Sequence, residues 1–295
     1  RRQVVRVQDQ PPALRLEVGL RVRPRAVLVG VQFPAVSDAD HTSSLDELNR
    51  LADTLGLRVI ARVTQKRKSL STSSVVGEGK LKEIGALTGG TGVVPTHTSG
   101  HSKKEEKDEP GEKEEDEKPA SALEPGERAS LVLVNHDLTP TRTRNLERAT
   151  SAEVLDRTAV ILAIFQRHAR TREARLQVEI ARLKYLAPRL RESGGGDRQG
   201  GGIGGKGAGE SQIQLDRRKN RDRVAELQRE LDAIEHEAGT RRRRRAEHDT
   251  VALVGYTNAG KSSLMRALTG SEILVADQLF ATLDTTVRTL QPETH

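Results

Sequence analysis

Residues 255–262 read GYTNAGKS, and this octapeptide constrains the fold more than any other part of the chain. An apolar run, DTVALVG at 249–255, precedes it, and KSSLMRALTG at 261–270 follows. The pattern predicts a strand, a glycine-rich loop and a helix ending at Gly270. In that context backbone N–H groups wrap a phosphate chain and the helix N-terminus faces it. The sequence therefore predicts a nucleotide-phosphate site in an α/β domain that spans residues 249–295 of this chain.

The same pattern gives individual loop residues a role. Lys261 is the candidate catalytic residue, because its ammonium group reaches the β- and γ-phosphates. The Ser262 hydroxyl is a candidate Mg²⁺ ligand. The expected nucleotide-binding loop comprises Gly255, Tyr256, Thr257, Asn258, Ala259, Gly260, Lys261, Ser262 and Ser263.

A threonine-rich segment follows at residues 279–288, which read LFATLDTTVR. It lies at the distance from the phosphate loop where a switch loop belongs. One threonine there can supply a second Mg²⁺ ligand when a γ-phosphate is bound, which orders the segment. An ordinary polar loop is the alternative interpretation.

The first half of the chain alternates between strand and helix patterns. Strands are predicted at 24–33, 57–63 and 130–138, and helices at 43–55 and from 77 onwards, with Ser43 or Ser44 as the N-cap of the first helix. This alternation predicts a small parallel α/β domain over residues 1–150. Residues 88–128 contain almost no apolar side chains, and we expect a disordered surface insertion there.

A helical arm is predicted over residues 151–248. Apolar residues recur at helical spacing from 153 to 191, which predicts one long amphipathic helix, and a second helix covers 211–239. Between them, residues 194–209 contain ten glycines in sixteen positions. Two long helices joined by a loop form an antiparallel pair, so the glycine-rich stretch lies at the tip. The tip is an RNA contact or only a flexible linker.

The charge of the chain favours an anionic partner. The net charge is +7, but residues 103–118 carry nine acidic residues and five lysines, so the rest of the chain carries +11. Nucleic acid is the commonest partner of such a surplus. A soluble basic protein without a polyanion partner is the alternative. The tip cations Arg198 and Lys206 are the candidate RNA contacts.

The chain contains no Cys, which excludes zinc–thiolate sites and thiol nucleophiles. It has no apolar run long enough to span a bilayer, and its first residues lack the apolar core of a signal peptide. These features predict a cytoplasmic protein without a membrane span, and we expect a monomer.

Several motifs, in order, resemble those of the HflX-type ribosome-associated GTPases. They are VVGEGKLKEI (75–84), LTPTRTRNLE (138–147), the long stretch DRTAVILAIFQRHARTREARLQVEIARLKYLAPRL (156–190), GAGESQIQLDRRKNRDRV (207–224), GYTNAGKS and LFATLD (279–284). The resemblance covers nearly the whole chain apart from the N-terminal tail and the acidic insertion.

The resemblance implies a GTPase that binds the large ribosomal subunit and its rRNA through the helical arm and, in some members, splits stalled ribosomes. It implies that Ser262 and Thr282 hold Mg²⁺ and suggests that Asn258 helps to hold K⁺. In the second segment it assigns nucleotide contacts to Phe280, Ala281, Thr282, Leu283 and Asp284.

The sequence also departs from the family pattern. Ala208 and Thr285 replace prolines, and neither of the motifs expected after Thr289, Asp-x-x-Gly and Asn-Lys-x-Asp, occurs in residues 290–295. The second of these motifs selects guanine, so we expect weak or absent nucleotide binding by the chain as given. A nucleotide-independent ribosome- or RNA-binding module with an inert partial nucleotide domain is the alternative function.

Overall fold

The computed structural model describes residues 23–70, 74–94, 124, 126–189, 212–244, 251–271, 279–280, 283 and 286–288. These residues belong to two compact units, one within residues 1–161 and the other within 162–295.

A four-stranded parallel sheet forms the centre of the first unit. Its strands are β1 (Arg25–Gln32), β2 (Arg58–Lys66), β3 (Leu131–Val134) and β4 (Glu153–Asp156), in the order β2-β1-β3-β4. Val29 of β1 pairs with Val63 on one side and with Val134 on the other. All three predicted strands are present, and the α/β class with a parallel sheet is confirmed.

Helices cover both faces of this sheet, which explains why β1 is apolar without alternation. Val27, Val29 and Val31 pack in a core with residues of α2 (Glu78–Thr88) and α3 (Pro140–Thr150). The opposite face of β1 packs on α1 (Asp38–Thr54), since a Cβ at Gly30 would lie 2.9 Å from the Leu45 Cδ2 atom.

Helix α1 begins earlier than the sequence pattern predicts. Its N-cap is Ser37, whose side chain accepts a hydrogen bond from the Asp40 N–H at 3.1 Å, so the prediction of Ser43 or Ser44 is wrong. The apolar pattern starts only at Leu45, whereas the first turn is polar, with Asp38 and Asp40 near the positive end of the helix dipole.

The first residues of the expected insertion, 88–94, belong to the packed domain. Residues 89–94 pack against the end of α3, where the Gly92 N–H donates to the Ala149 carbonyl at 2.8 Å. A Cβ at Gly90 would lie 2.3 Å from the same carbonyl oxygen, so this close approach requires glycine. Gly90 and Gly92, which fall in the predicted disordered insertion, are therefore packed against α3, and residues 95–123 lie outside the described part of the chain.

The single helix predicted from 153 to 191 is wrong. Its first residues form β4, past the expected domain boundary at residue 150, and two helices follow, α4 (Arg157–His168) and α5 (Arg172–Leu186). Asp156 ends the strand and accepts a hydrogen bond from the Ala159 N–H at 2.8 Å. Thr171 caps α5 in the same way, through the Ala174 N–H at 3.1 Å. We call residues 169–171, which separate the two helices, the bend.

Helix α5 packs antiparallel against α6 (Gln212–Arg244) in the second unit. The Arg172 guanidinium lies 2.9 Å from the Glu230 carboxylate, and the Asn220 side chain donates to the Leu183 carbonyl at 3.1 Å. Residues further along α5 therefore contact residues earlier in α6, as expected for an antiparallel pair. The core of this pair consists of Leu176, Ile180, Leu227 and Leu231, with Leu183, Val224 and Ile234 at its margin.

Candidate nucleotide-binding site

The chain enters the phosphate loop in an extended conformation. The strand predicted at 249–255 is not formed over residues 251–255, and Val251 and Val254 are exposed. A strand needs a hydrogen-bonded neighbour, and no described residue supplies one here. The helix prediction is confirmed, because α7 spans Lys261–Thr269 and is followed by Gly270.

The loop turns through two left-handed residues. The Ala259 N–H donates to the Tyr256 carbonyl at 3.2 Å, Asn258 has φ 59°, and Gly260 has φ 82°. Asn occupies the left-handed region more readily than most residues, and Gly does so without strain. These two positions reverse the chain between Gly255 and α7, which produces the compact loop predicted from the motif.

Helix α7 presents an N-terminus without a side-chain cap. Its N-cap is Gly260, which has no side chain to bond the first-turn N–H groups. A helix of nine residues concentrates positive potential at this end, where an anion is stabilised. The space beside Gly260 is open, because apart from its chain neighbours none of the described atoms lies within 4 Å of the point where a Cβ would be.

Lys261 folds back over the loop. Its Nζ atom donates to the Gly255 carbonyl at 2.7 Å and to the Tyr256 carbonyl at 2.5 Å. The ammonium group is thus held beside the same loop whose N–H groups are expected to bind phosphates, and a phosphate oxygen can replace these carbonyls as its acceptor. The loop, the lysine and the helix end together fit a polyphosphate.

The Mg²⁺ expected with such a phosphate chain has one candidate ligand in the described residues. Ser262 lies in the first turn of α7, next to the loop. Mg²⁺ usually takes one or two oxygens from the protein and the rest from phosphates and water, so a single hydroxyl here fits this ion. Thr282, the second predicted ligand, lies outside the described residues.

The structure connects the phosphate loop to the second predicted segment. The Phe280 N–H donates to the Thr257 hydroxyl oxygen at 3.0 Å, so two predicted site residues from different segments are in contact. Leu279, which precedes Phe280, is buried. Leu283 packs against an apolar cluster around the bend.

The residues that hold this segment were not predicted as part of the site. They are Phe165, whose ring meets that of Phe280, and His168, which forms a hydrogen bond with the Phe280 backbone. The sequence marks Phe165 only as part of the apolar face of a helix. Nothing in its spacing shows which segment covers that face.

Ala281, Asp284 and the tip residues Arg198 and Lys206 lie outside the described residues, and their roles stay predictions. Ser263 is exposed in the first turn of α7. In the described part of the chain, no helix is both long and apolar enough to cross a membrane.

Three family models match successive parts of the chain. A model described as GTP-binding GTPase N-terminal matches residues 42–95 and 115–166, and one described as GTP-binding GTPase Middle Region matches 168–245. A third, described as 50S ribosome-binding GTPase, matches 250–295, which include the phosphate loop. The matches therefore place the chain among the GTP-binding GTPases.

Individual relatives identify the family. The chain is 58% identical over 271 residues to the GTPase HflX of Gluconacetobacter diazotrophicus, a match that covers 92% of this chain and 60% of that protein. It is 39% identical over 267 residues to the GTPase HflX of Escherichia coli, with 90% and 54% covered. The chain belongs to the HflX family of GTPases. It spans between half and two thirds of the length of these relatives.

Among solved structures, the chain resembles a GTP-binding protein from the archaeon Sulfolobus solfataricus in complex with GDP. The identity is 22%, the TM-score is 0.44, and the match covers 84% of this chain and 53% of that one.

Proposed function

We propose that this protein binds GTP, hydrolyses it with Mg²⁺ and associates with the large ribosomal subunit in the cytoplasm. The observation that carries the nucleotide proposal is the arrangement of Lys261 over the loop carbonyls beside the uncapped end of α7. Membership of the HflX family and the match of residues 250–295 to a GTPase model support it.

In the proposed mechanism Lys261 leaves the Gly255 and Tyr256 carbonyls and binds the β- and γ-phosphates. Its positive charge stabilises the charge that develops on the transferred group. The loop N–H groups and the α7 N-terminus hold the remaining phosphate oxygens. When bound, Mg²⁺ neutralises phosphate charge, and Ser262 is its proposed ligand here, with Thr282 joining when the γ-phosphate is present. K⁺ beside Asn258 is a further proposal from the resemblance.

The ribosomal proposal concerns the arm formed by α5 and α6. Cations with exposed side chains lie along both helices, including Arg172, Lys219 and Arg223. Such residues release counterions when they bind phosphates of folded RNA. We propose that the arm enters the large subunit as a monomer, with Arg198 and Lys206 as contacts to rRNA at its tip.

The test of the nucleotide proposal is the Lys261→Ala variant of the full gene product. We expect GTP hydrolysis to fall by about 100-fold or more, because one preorganised charge at the transition state is lost. Lys219→Ala is the matched control, since this exposed lysine lies on the arm, 4.0 Å from Asp216. Unchanged hydrolysis in Lys261→Ala contradicts the assignment.

The alternative is a ribosome or RNA binder that does not use nucleotide. The basic charge outside the acidic stretch is the observation that favours it. Sedimentation with 50S subunits, with GTP, with GDP and without nucleotide, separates the two. Equal binding in all three conditions supports the alternative. Loss of binding after deletion of residues 194–209 assigns the contact to the tip, and unchanged binding removes the tip from the proposal.

A further inference from the structure

The second predicted nucleotide-binding segment, residues 279–288, contacts α4 and the first helix of the arm, α5, through its described residues Phe280 and Leu283. The ring of Phe280 meets the ring of Phe165, on α4, edge-to-face, with centroids 5.0 Å apart and an interplanar angle of 86°. Leu283 packs with Phe165 against Ala169, Ala174 and Val178. We call these last three residues and Phe165 the bend cluster. Because they come from α4, the bend and α5, the segment contacts the helical chain on both sides of the bend.

The same segment is tied to the phosphate loop through the Phe280 N–H and the Thr257 hydroxyl, 3.0 Å apart. Phe280 has φ 57°, a left-handed conformation that an aromatic residue adopts only when its surroundings impose it. Three contacts impose it here, namely Thr257 at the backbone N–H, Phe165 at the ring and His168 at the backbone.

His168 supports this arrangement from the last turn of α4. Burial lowers the pKa of its imidazole, and the hydrogen bond with the Phe280 backbone opposes that effect, while the nearby Arg167 and Arg170 lower the pKa further. The lowered pKa favours the neutral imidazole at neutral pH. Its Nδ1 atom is buried, and none of the described residues forms a hydrogen bond with it.

We propose that Phe165 and His168 are positioning residues of the nucleotide site, which hold Phe280 and Leu283 of the second segment and thereby keep Phe280 against Thr257 of the phosphate loop. This inference rests on the proposed GTP site. GDP contacts only the phosphate loop, whereas GTP needs an ordered second segment as well. The bend cluster holds the segment in place before the nucleotide binds, which lowers the entropy lost when the segment becomes ordered on binding. This contact therefore increases the affinity for GTP more than the affinity for GDP.

The coupling works in both directions. If the contact between the segment and the bend cluster strengthens GTP binding by some factor, GTP strengthens that contact by the same factor. The base of the arm therefore responds to whether GTP or GDP is bound. The arm and the nucleotide are connected through a defined apolar contact, Phe165 to Phe280, which can be removed by a single substitution.

The experiment compares GTP and GDP affinity in variants of the full gene product, with a non-hydrolysable GTP analogue and GDP as the probes. For Phe165→Ala we expect the affinity for the analogue to fall by about 10-fold, the upper range for loss of an aromatic pair, with GDP affinity within about 2-fold of the unsubstituted protein. Phe165→Leu keeps most of the buried volume and is expected to lose less. His168→Ala is expected to lower analogue affinity, and His168→Gln, which keeps a hydrogen-bonding group, to restore part of it.

Leu231→Ala is the matched control. Leu231 is buried in the core between α5 and α6, and none of the described residues of the second segment packs there. Its truncation lowers the melting temperature by opening a cavity. The ratio of the two affinities is expected to stay unchanged in this variant. Equal loss of analogue and GDP affinity in Phe165→Ala, or no loss of either, overturns the positioning role. Failure of the unsubstituted protein to bind either nucleotide overturns the proposed function and this inference with it.

Discussion

Glu153 at the start of β4 is partly buried beside Glu147 of α3, and its pKa is raised to about 7. Burial is the larger cause, and repulsion from the Glu147 carboxylate is the second. The pKa of Glu147 is raised as well, again chiefly by burial, although a hydrogen bond with the Val154 backbone and the charge of Arg144 oppose the shift. An acidic pair at this edge of the sheet makes the stability of the fold depend on pH.

We expect Glu153→Gln to stabilise the protein at pH 8 and to change little at pH 4.5. The folded-state pKa of Glu153 lies above its value of 4.5 in the unfolded chain, so its stabilising contribution is complete below pH 4.5 and is lost as pH rises through about 7. A full shift corresponds to about 3 kcal/mol, and solvent screening of this partly exposed group reduces the expectation to about 1–2 kcal/mol.

The free energy of unfolding in urea, measured from pH 4.5 to pH 8, checks this prediction. Glu173→Gln is the control, because Glu173 is an exposed residue in the first turn of α5. A pH profile that is as steep in Glu153→Gln as in the unsubstituted protein would show that this carboxyl is not the cause.

Gly90→Ala is expected to destabilise the first unit by about 2–3 kcal/mol, at the upper end of overpacking effects. The added Cβ would lie 2.3 Å from the Ala149 carbonyl oxygen and from the Thr150 carbonyl carbon, both of them backbone atoms that cannot rotate away. Gly79→Ala is the matched control, since Gly79 lies in α2 with none of the described atoms within 4 Å of an added Cβ. There alanine is expected to stabilise by about 0.5 kcal/mol. Thermal unfolding of Gly90→Ala and Gly79→Ala measures this difference. Equal melting temperatures of the two variants would refute the predicted clash at Gly90.

Gly260→Ala is expected to weaken nucleotide binding by about 10-fold through the backbone alone. An added Cβ meets none of the described atoms within 4 Å, but φ is 82°, where alanine is strained by about 1–2 kcal/mol. Gly239→Ala, in α6 and equally open, is the control and is expected to leave nucleotide binding unchanged. Calorimetric titration of the full gene product with GDP checks this. Equal affinity in both variants would mean that the left-handed turn is not needed for binding.

The contrast between what could and could not be predicted has a physical basis. The phosphate loop and α7 were predictable because Gly260 and Lys261 have positions fixed by local backbone geometry. The contact between Phe165 and Phe280 was not, since the two residues are more than a hundred positions apart and hydrophobic spacing shows a buried face without its partner. Strand β4 was missed because four residues, EVLD, are too few to show a strand period against a following helix.

Helix α3 illustrates a similar limit of hydrophobic patterns. The signals for α3 were present in the sequence, since Thr139 is an N-cap residue type and Pro140 is favoured at the first helical position. Hydrophobic spacing does not indicate this helix, because few of its residues are apolar and only Leu146, Ala149 and Thr150 are buried. Local capping chemistry therefore indicated this helix better than hydrophobic spacing did.

The register of the arm can be tested through the ion pair of Arg172 and Glu230, whose atoms lie 2.9 Å apart. Arg172→Glu alone and Glu230→Arg alone are each expected to lower stability by about 0.5–1 kcal/mol, because both place like charges together on a largely exposed surface. The double reversal restores an attractive pair, so we expect it to recover most of that loss.

The double-mutant cycle, measured by urea unfolding at low salt, gives the coupling energy of this pair. Arg172→Glu combined with Asp232→Lys is the control, because Asp232 lies only two residues from Glu230 but about 200° around the helix. A coupling energy near zero for Arg172 and Glu230, or an equal one for the control pair, would contradict the antiparallel register in which Leu183 meets Asn220. Raising the salt concentration to 1 M is expected to remove the coupling, since ions screen exposed charges at this distance.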